Sequence, residues 1–474
     1  MVGDRSRFRR YRIFTSENEK MFQRCAFACA GVLVAFLWTA DSGAAEPTGY
    51  PTQRPLGAGI PAYKVGQEQD RPTSEDGSLQ QLGVCKVLQL AFANDPALAV
   101  RSWEVSALRG RVLQSNLFPN PDVDLELENF GGTDELSGLR GAEATIQLSQ
   151  LVELGAKRTK RRGVAMAVRD IAGWEYEEQR LQTYAEASAM FYAVANAQMK
   201  VELRQRQLQL ALTVVETVKE RVTAGRVTPI EQTRANVEAS SATLALRQAQ
   251  SELAAARSRL ASTWGQDERS VGQVVADLDN LAPPPPLEAV LSRLEKGAEL
   301  GKARATQTLR EQSLRLERAN QIPDITLSAG IRRYFDTDES ALVAGFSIPI
   351  PVFGLNPGGV LEASDRVEQG GAVKRDTRLR LRQETFALHA TMRSAYEAAL
   401  TLQDDILPAA GTTYEAAQAS YAEGRLGLLD VLDAQRTLFD ARADYIESLA
   451  DYHTARIGME RITGEPVVDP GCRL

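Results

Sequence analysis

Three carboxylates close to two glycine turns are the side chains best placed to act on a solute. Glu231 lies six residues after Gly225, and Asp430 lies six residues after Gly424, with Asp433 one helical turn further on. Carboxylates gathered around one aqueous passage concentrate cations through their summed field. Acids near a helix start also serve the helix itself by opposing its dipole, and the residues alone leave both readings open. Nothing else in the chain looks like a reaction centre. The two histidines, His389 and His453, are far apart, and no Cys/His zinc spacing, phosphate-binding glycine loop or serine nucleophile elbow is present. No catalytic residue, metal ligand or cofactor site is expected.

The two turns belong to one unit that occurs twice. Gly225-Arg226 recurs as Gly424-Arg425, Ala235 as Ala434, Ala256-Arg257 as Ala455-Arg456 and Gly265 as Gly464, at one constant offset. In each copy a long helix meets a glycine turn and a second helix returns. No proline falls between Pro121 and Pro229, so residues 157–222 read as a single helix of roughly 100 Å. Val164, Val168, Ile171, Trp174, Leu181, Leu208, Leu212, Val215, Val218 and Val222 mark its expected buried stripe. The returning helix has a four-three rhythm, Ala242, Leu246, Ala249, Leu253, Ala256, Leu260, repeated as Ala441, Tyr445, Ser448, Tyr452, Ala455, Met459. Small residues at Ala242, Ala249, Ala256, Ala441 and Ala455 would let two helices approach closely.

Ahead of each helical hairpin the period changes to two. Val123, Leu125 and Leu127 alternate with Asp124, Glu126 and Glu128, and Ile146 and Leu148 alternate with polar residues after a glycine-rich loop. Ile325, Leu327, Ala329 and Ile331, then Leu342, Ala344, Phe346 and Ile348, repeat the layout. Strands of about ten residues fit a tilted membrane crossing, although edge strands of a soluble sheet share the pattern. Phe118, Phe130, Tyr334, Phe335 and Phe353 stand at the strand ends. Four membrane strands cannot close a barrel alone, so their edges require further copies of the chain.

The expected organisation is an N-terminal extension and signal peptide over 1–45, with Arg24, an apolar run from Cys25 to Trp38 and an Ala44-Ala45 cleavage site. An extended arm follows over 46–78, with helix expected from near Ser78. A first repeat covers 79–282 (hairpin 122–151, helical hairpin 157–264), Pro283–Pro286 link the halves, and a second repeat covers 287–465 (hairpin 324–350, helical hairpin 359–463), with a tail over 466–474. Cys85 and Cys472 remain after signal removal, and two free thiols are the plainer reading of them. Aromatic content is low at 6% and the net charge is −7, which favours long helices packed through small residues and argues against a nucleic-acid partner.

The stretch Tyr421-Ala-Glu-Gly-Arg-Leu-Gly-Leu-Leu-Asp-Val-Leu-Asp-Ala434, with its weaker counterpart Ala224-Gly-Arg-Val-Thr-Pro-Ile-Glu231, resembles the TolC family of outer-membrane factors over roughly residues 85–465. Glu126-Leu-Glu-Asn-Phe-Gly-Gly132 and Leu148-Ser-Gln-Leu-Val-Glu-Leu-Gly-Ala-Lys-Arg158 are similar to its heavy-metal (CzcC-like) branch. The resemblance implies a mainly α fold with a small β membrane part. Three chains would build a 12-stranded transmembrane β-barrel continued by a long coiled-coil α-helical barrel, in the outer membrane of a Gram-negative bacterium and extending into the periplasm. It implies the exit duct of a tripartite efflux pump for metal cations or small toxic compounds, working as a homotrimer in outer-membrane lipid with a periplasmic adaptor and an inner-membrane pump of the resistance-nodulation-division type. The duct of a type I protein-secretion system and a soluble periplasmic coiled-coil scaffold are the alternatives. Asp430, Asp433, Tyr421 and Glu231 match positions of the family's periplasmic gate, and the turns at Gly225, Arg226, Gly424 and Arg425 match the adaptor-docking surface. The gate arginine's position is occupied by Leu426, with Arg425 one residue earlier.

Overall fold

A computed structural model describes residues 79–267 and 270–466. The signal peptide, the arm and nearly all of the tail lie outside the described residues. A short strand, β1 (Leu79–Leu82), leads into helices α1 (Val84–Asn94) and α2 (Pro96–Ser115). Asp95 caps α2 by accepting from Ala97 N–H at 2.8 Å. Helix therefore starts at Val84 and not near Ser78. The intervening β1 pairs in parallel with β4 (Val271–Val274), from the far end of the first repeat. Four residues with a sequence-distant partner leave no periodic signal. Cys85, in the first turn of α1, is disulfide-bonded, which corrects the free-thiol reading; the other three cysteines lie outside the described residues.

Strands β2 (Asp122–Glu128) and β3 (Glu143–Val152) form the first hairpin, and β5 (Ile325–Tyr334) and β6 (Glu339–Ser347) the second. They join in one antiparallel sheet of order β2-β3-β5-β6, with β3 and β5 registered from Glu143↔Tyr334 to Val152↔Ile325. Period-two geometry places Asp122, Asp124, Glu126, Glu128, Glu143, Thr145, Arg332 and Ser328 on one face. Val123, Leu125, Leu127, Ile146, Leu148, Leu327, Leu342 and Phe346 occupy the other. Leu125 and Phe346 are 78% and 77% exposed, so none of the described residues of the single chain covers this apolar face. The outer edges of β2 and β6 are unpaired among the described residues.

α3 (Lys157–Thr223) runs unbroken for 67 residues, and α4 (Pro229–Ser262) packs back along it. In the second repeat α5 (Leu287–Leu294) and α6 (Ala298–Asn320) precede the sheet, and α7 (Pro357–Thr401) follows it. α7 passes through a π turn at Leu402–Ile406 into α8 (Leu407–Ala422), and α9 (Leu428–Thr463) returns. Pro408 explains the interruption: it has no N–H for the carbonyl of Asp404, and the wider turn absorbs the mismatch. α3 has no proline and no such turn. Among the described residues, no helix is long and apolar enough to cross a membrane.

The largest core joins Leu82, Leu88, Phe92 and Leu98 to Leu181, Tyr184, Phe191 and Val194 of α3 and to Leu260 and Trp264. A second core lies toward the helical turns, where Val214 and Val218 meet Ala235, Tyr414, Tyr421, Leu428 and Val431. Of the expected α3 stripe, Leu212 is exposed. Ala211 and Val214 join the expected Val218 in facing α4, α8 and α9, and Leu212 sits one residue off that face. Ala242, Ala249, Ala256, Ala441 and Ala455 are all buried.

Candidate functional site

Both helical turns close in the same way. Arg226 N–H reaches Arg221 O at 2.9 Å and Gly225 N–H reaches Val222 O at 2.9 Å. In the second repeat Arg425 N–H reaches Ser420 O and Gly424 N–H reaches Tyr421 O, each at 2.9 Å. This is the Schellman end of a helix, and it needs a left-handed residue, supplied by Gly225 at φ 67° and Gly424 at φ 76°. The two glycines thus fix where each long helix stops. Arg226 and Arg425 are left exposed at the tips, where Arg425 pairs with Glu423.

The returning helices start differently. Asp430 Oδ2 accepts from Gly427 N–H at 2.9 Å and caps α9. Glu231, its repeat counterpart, accepts from the Tyr421 hydroxyl at 3.3 Å and so ties α4 to α8. Asp433 is exposed one turn beyond Asp430. Tyr421 is 4% exposed, and burial, helped by the Glu231 charge against the opposing Arg221, raises its hydroxyl above the usual tyrosine range. The hydroxyl therefore stays a donor. The geometry brings Tyr421 and Glu231 together, and leaves Asp430 and Asp433 exposed in the single chain.

Arg221 was not anticipated from the sequence. Its guanidinium lies 4.2 Å from the Tyr421 ring centroid and donates to the Tyr421 carbonyl oxygen. A cation in the last turn of α3 suits the negative end of that helix, and this was the one available signal. Leu426 is 41% exposed and cannot pair with a carboxylate. The arginine that fastens this tip thus comes from the first repeat. A cavity of about 330 Å³ opens beside Tyr421, lined by Val214, Thr217, Glu415, Gln418 and Val431. It holds no nucleophile with a base, and among the described residues no cluster of metal-ligating side chains occurs.

A second polar group, also missed, joins the repeats in mid-body. Tyr184 donates to Glu460 Oε2 at 2.8 Å, and Arg456 donates to Tyr192 Oη at 2.8 Å. His453 stacks on Tyr192 with centroids 4.5 Å apart, and its Nε2 lies 3.2 Å from Leu278 O. His389 Nε2 lies 2.8 Å from Pro285 O. Both histidines of the chain therefore hold backbone of the segment connecting the repeats. Tyr452 does the same by donating to Ala282 O at 2.7 Å.

The family model described as outer membrane efflux protein matches residues 87–266 and 292–465, one span for each repeat. The chain is 29% identical over 377 residues to the cobalt-zinc-cadmium resistance protein CzcC of Cupriavidus metallidurans, covering 80% of this chain and 88% of that one. It is 28% identical over 283 residues to the nickel and cobalt resistance protein CnrC of the same organism, covering 59% of this chain and 66% of the relative. The fold matches solved CusC with a TM-score of 0.69 at 17% identity, covering 81% of this chain and 92% of that one. It matches VceC of Vibrio cholerae at 0.66 and 17%, covering 81% and 97%. These neighbours are outer-membrane channels that reach into the periplasm; members of the family are trimeric channels of tripartite efflux pumps and not enzymes. With both repeats matched, the chain belongs to the outer membrane efflux protein family.

Proposed function

We propose that three copies of this chain form the passive exit duct of a tripartite pump that expels metal cations. The observation that carries the reading is the open sheet β2-β3-β5-β6, apolar on one face and acidic on the other, with both outer edges unpaired among the described residues. In lipid such edges require partners, and β6 of one copy meeting β2 of the next closes a 12-stranded barrel. The helical hairpins then continue the passage to the Gly225 and Gly424 turns, which present Arg226 and Arg425 to a periplasmic adaptor. Energy comes from an inner-membrane pump of the resistance-nodulation-division type. Asp430, Asp433, Glu231 and Tyr421 form the gate at the narrow end, where six aspartates per trimer favour cations over anions. The names of the relatives support cobalt, zinc, cadmium and nickel as cargo.

Deletion of the gene in its own host should sensitise cells to these cations, and re-expression should restore tolerance. The protein should fractionate with outer membrane and run as a trimer in mild detergent. A soluble periplasmic monomer would overturn the duct; unchanged metal tolerance with an intact outer-membrane trimer would overturn the cargo alone.

A further inference from the structure

Conduction leaves one feature of the chain unused, the junction between sheet and helices. β3 ends at Val152, the backbone turns through Gly155 at φ 67° and Ala156 at φ 55°, and α3 begins. Its first six residues are Lys157-Arg158-Thr159-Lys160-Arg161-Arg162, and no acid occupies the first turn. Five cations at the positive end of a helix dipole work against the helix. The second repeat has nothing of the kind, since α7 opens Pro357-Gly-Gly-Val-Leu-Glu362. The cluster is therefore no requirement of the repeat.

Two of the five charges are answered within the chain, Lys157 by Asp324 at 2.8 Å and Arg161 by Glu153. Arg158, Lys160 and Arg162 have no carboxylate partner among the described residues. The Arg158 guanidinium lies 3.9 Å from the centroid of Phe118, a ring 58% exposed. Lys160 Nζ donates to Gly155 O at 2.8 Å, which leaves its charge unanswered. Strand pairing sets Leu117 and Phe118, just before β2, and Ile350, Val352 and Phe353, just after β6, at this same end of the sheet. All five are exposed. A rim of exposed aromatic and aliphatic side chains set beside unpaired cations, and continuous with the apolar face of the sheet, has the composition of a membrane–water boundary.

We propose that Arg158, Lys160 and Arg162 bind the headgroups of anionic phospholipids in the periplasm-facing leaflet. The proposal rests on the membrane-spanning reading of the sheet. Guanidinium groups suit phosphate oxygens, basic residues beside a membrane attract anionic lipid, and the headgroup supplies the negative charge that the start of α3 lacks.

The test uses full-length trimer added from detergent to vesicles of phosphatidylcholine alone or with phosphatidylglycerol, scored by flotation and by lipid retained on re-extraction. Wild type should retain phosphatidylglycerol over phosphatidylcholine, and less so at high salt. Replacing Arg158, Lys160 and Arg162 by glutamine should weaken retention by roughly fivefold for each cation removed. Should that variant fold poorly, the wild-type comparison of the two lipids still decides. Equal retention of both lipids by wild type, undiminished preference in the variant, or full competition by inorganic phosphate overturns the proposal. Failure to float with any vesicle overturns the membrane reading beneath it, which is a distinguishable result.

Discussion

Glu231 and Asp430 stand at the same position in the two repeats, yet only Asp430 caps its own helix while Glu231 reaches Tyr421 on a neighbouring one. Asp430→Ala should therefore cost about 1 kcal/mol of local stability at the start of α9, as loss of the N3 partner of a capping box does. Faster amide exchange around Gly427 would report it, and Asp430→Asn should retain most of the protection. The proposed gate adds a second readout. Asp430→Ala with Asp433→Ala should lower cation selectivity and block by multivalent cations in planar bilayers. Wild-type selectivity in the double variant would leave these residues as helix-end groups only.

Arg221 fastens the tip by two contacts at once, its face on the Tyr421 ring and its N–H on the Tyr421 carbonyl. Arg221→Ala should free Tyr421 and raise the open-channel conductance, and should lower local stability by about 1–2 kcal/mol. Arg221→Lys should resemble the alanine variant more than wild type, because an ammonium cannot stack and donate together. Unchanged conductance in both variants would place the constriction elsewhere.

How far the sequence reached is clear at particular residues. The helix limits at Gly225 and Gly424 were legible because only a left-handed residue closes that turn, and the strands because period-two alternation survives on a sheet with two unlike faces. The four-residue β1 was not legible, nor was its pairing with β4, since no local pattern encodes a distant parallel partner. At the tip, Glu231 stood out by its place after the glycine turn, whereas Tyr421 came only through the family resemblance. Arg221 was hidden because it acts on the other repeat, and spacing along one helix says nothing of that. Leu212 misled because an apolar residue near the right period still falls between two faces.

The buried alanines invite an overpacking test. Ala249 and Ala256 are 6% and 4% exposed on α4, where it packs along α3. Leucine at either site should cost about 1–3 kcal/mol per chain and lower trimer yield. Normal yield and melting temperature for both variants would show that the helices part to make room at little cost.

Two buried tyrosines should respond in opposite ways to loss of the hydroxyl. Tyr184 donates to Glu460, which is fully buried, and burial together with that carboxylate pushes its ionisation far up. Tyr184→Phe removes a donor from a buried carboxylate and should cost about 1–3 kcal/mol. The Tyr414 hydroxyl is buried with no partner among the described residues. Tyr414→Phe should be neutral or stabilising, since nothing compensates that hydroxyl for its lost water. Thermal melting of the two variants side by side checks the contrast, and equal destabilisation would refute it.

His453 gives the mid-body network a pH dependence whose sign follows from its surroundings. Burial first, and then the Arg456 charge, pull it down to about 4, against the weaker upward effects of the Leu278 carbonyl and Asp277. Tyr192 stacks on one face of the ring and Tyr452 meets it edge-on. An unfolded histidine titrates near ~6.5. Below that value the unfolded chain takes up a proton that the folded chain refuses, so the fold loses stability as pH falls from ~6.5 toward 4, and above 6.5 this loss is absent. At pH ~5 the loss from this one group is about 2 kcal/mol per chain. His453→Gln cannot take up the proton and can still donate to Leu278 O. The melting temperature of wild type should therefore drop more steeply between neutral and mildly acidic pH than that of His453→Gln. Parallel profiles for the two proteins would mean that His453 is already protonated at neutral pH or that water reaches its ring.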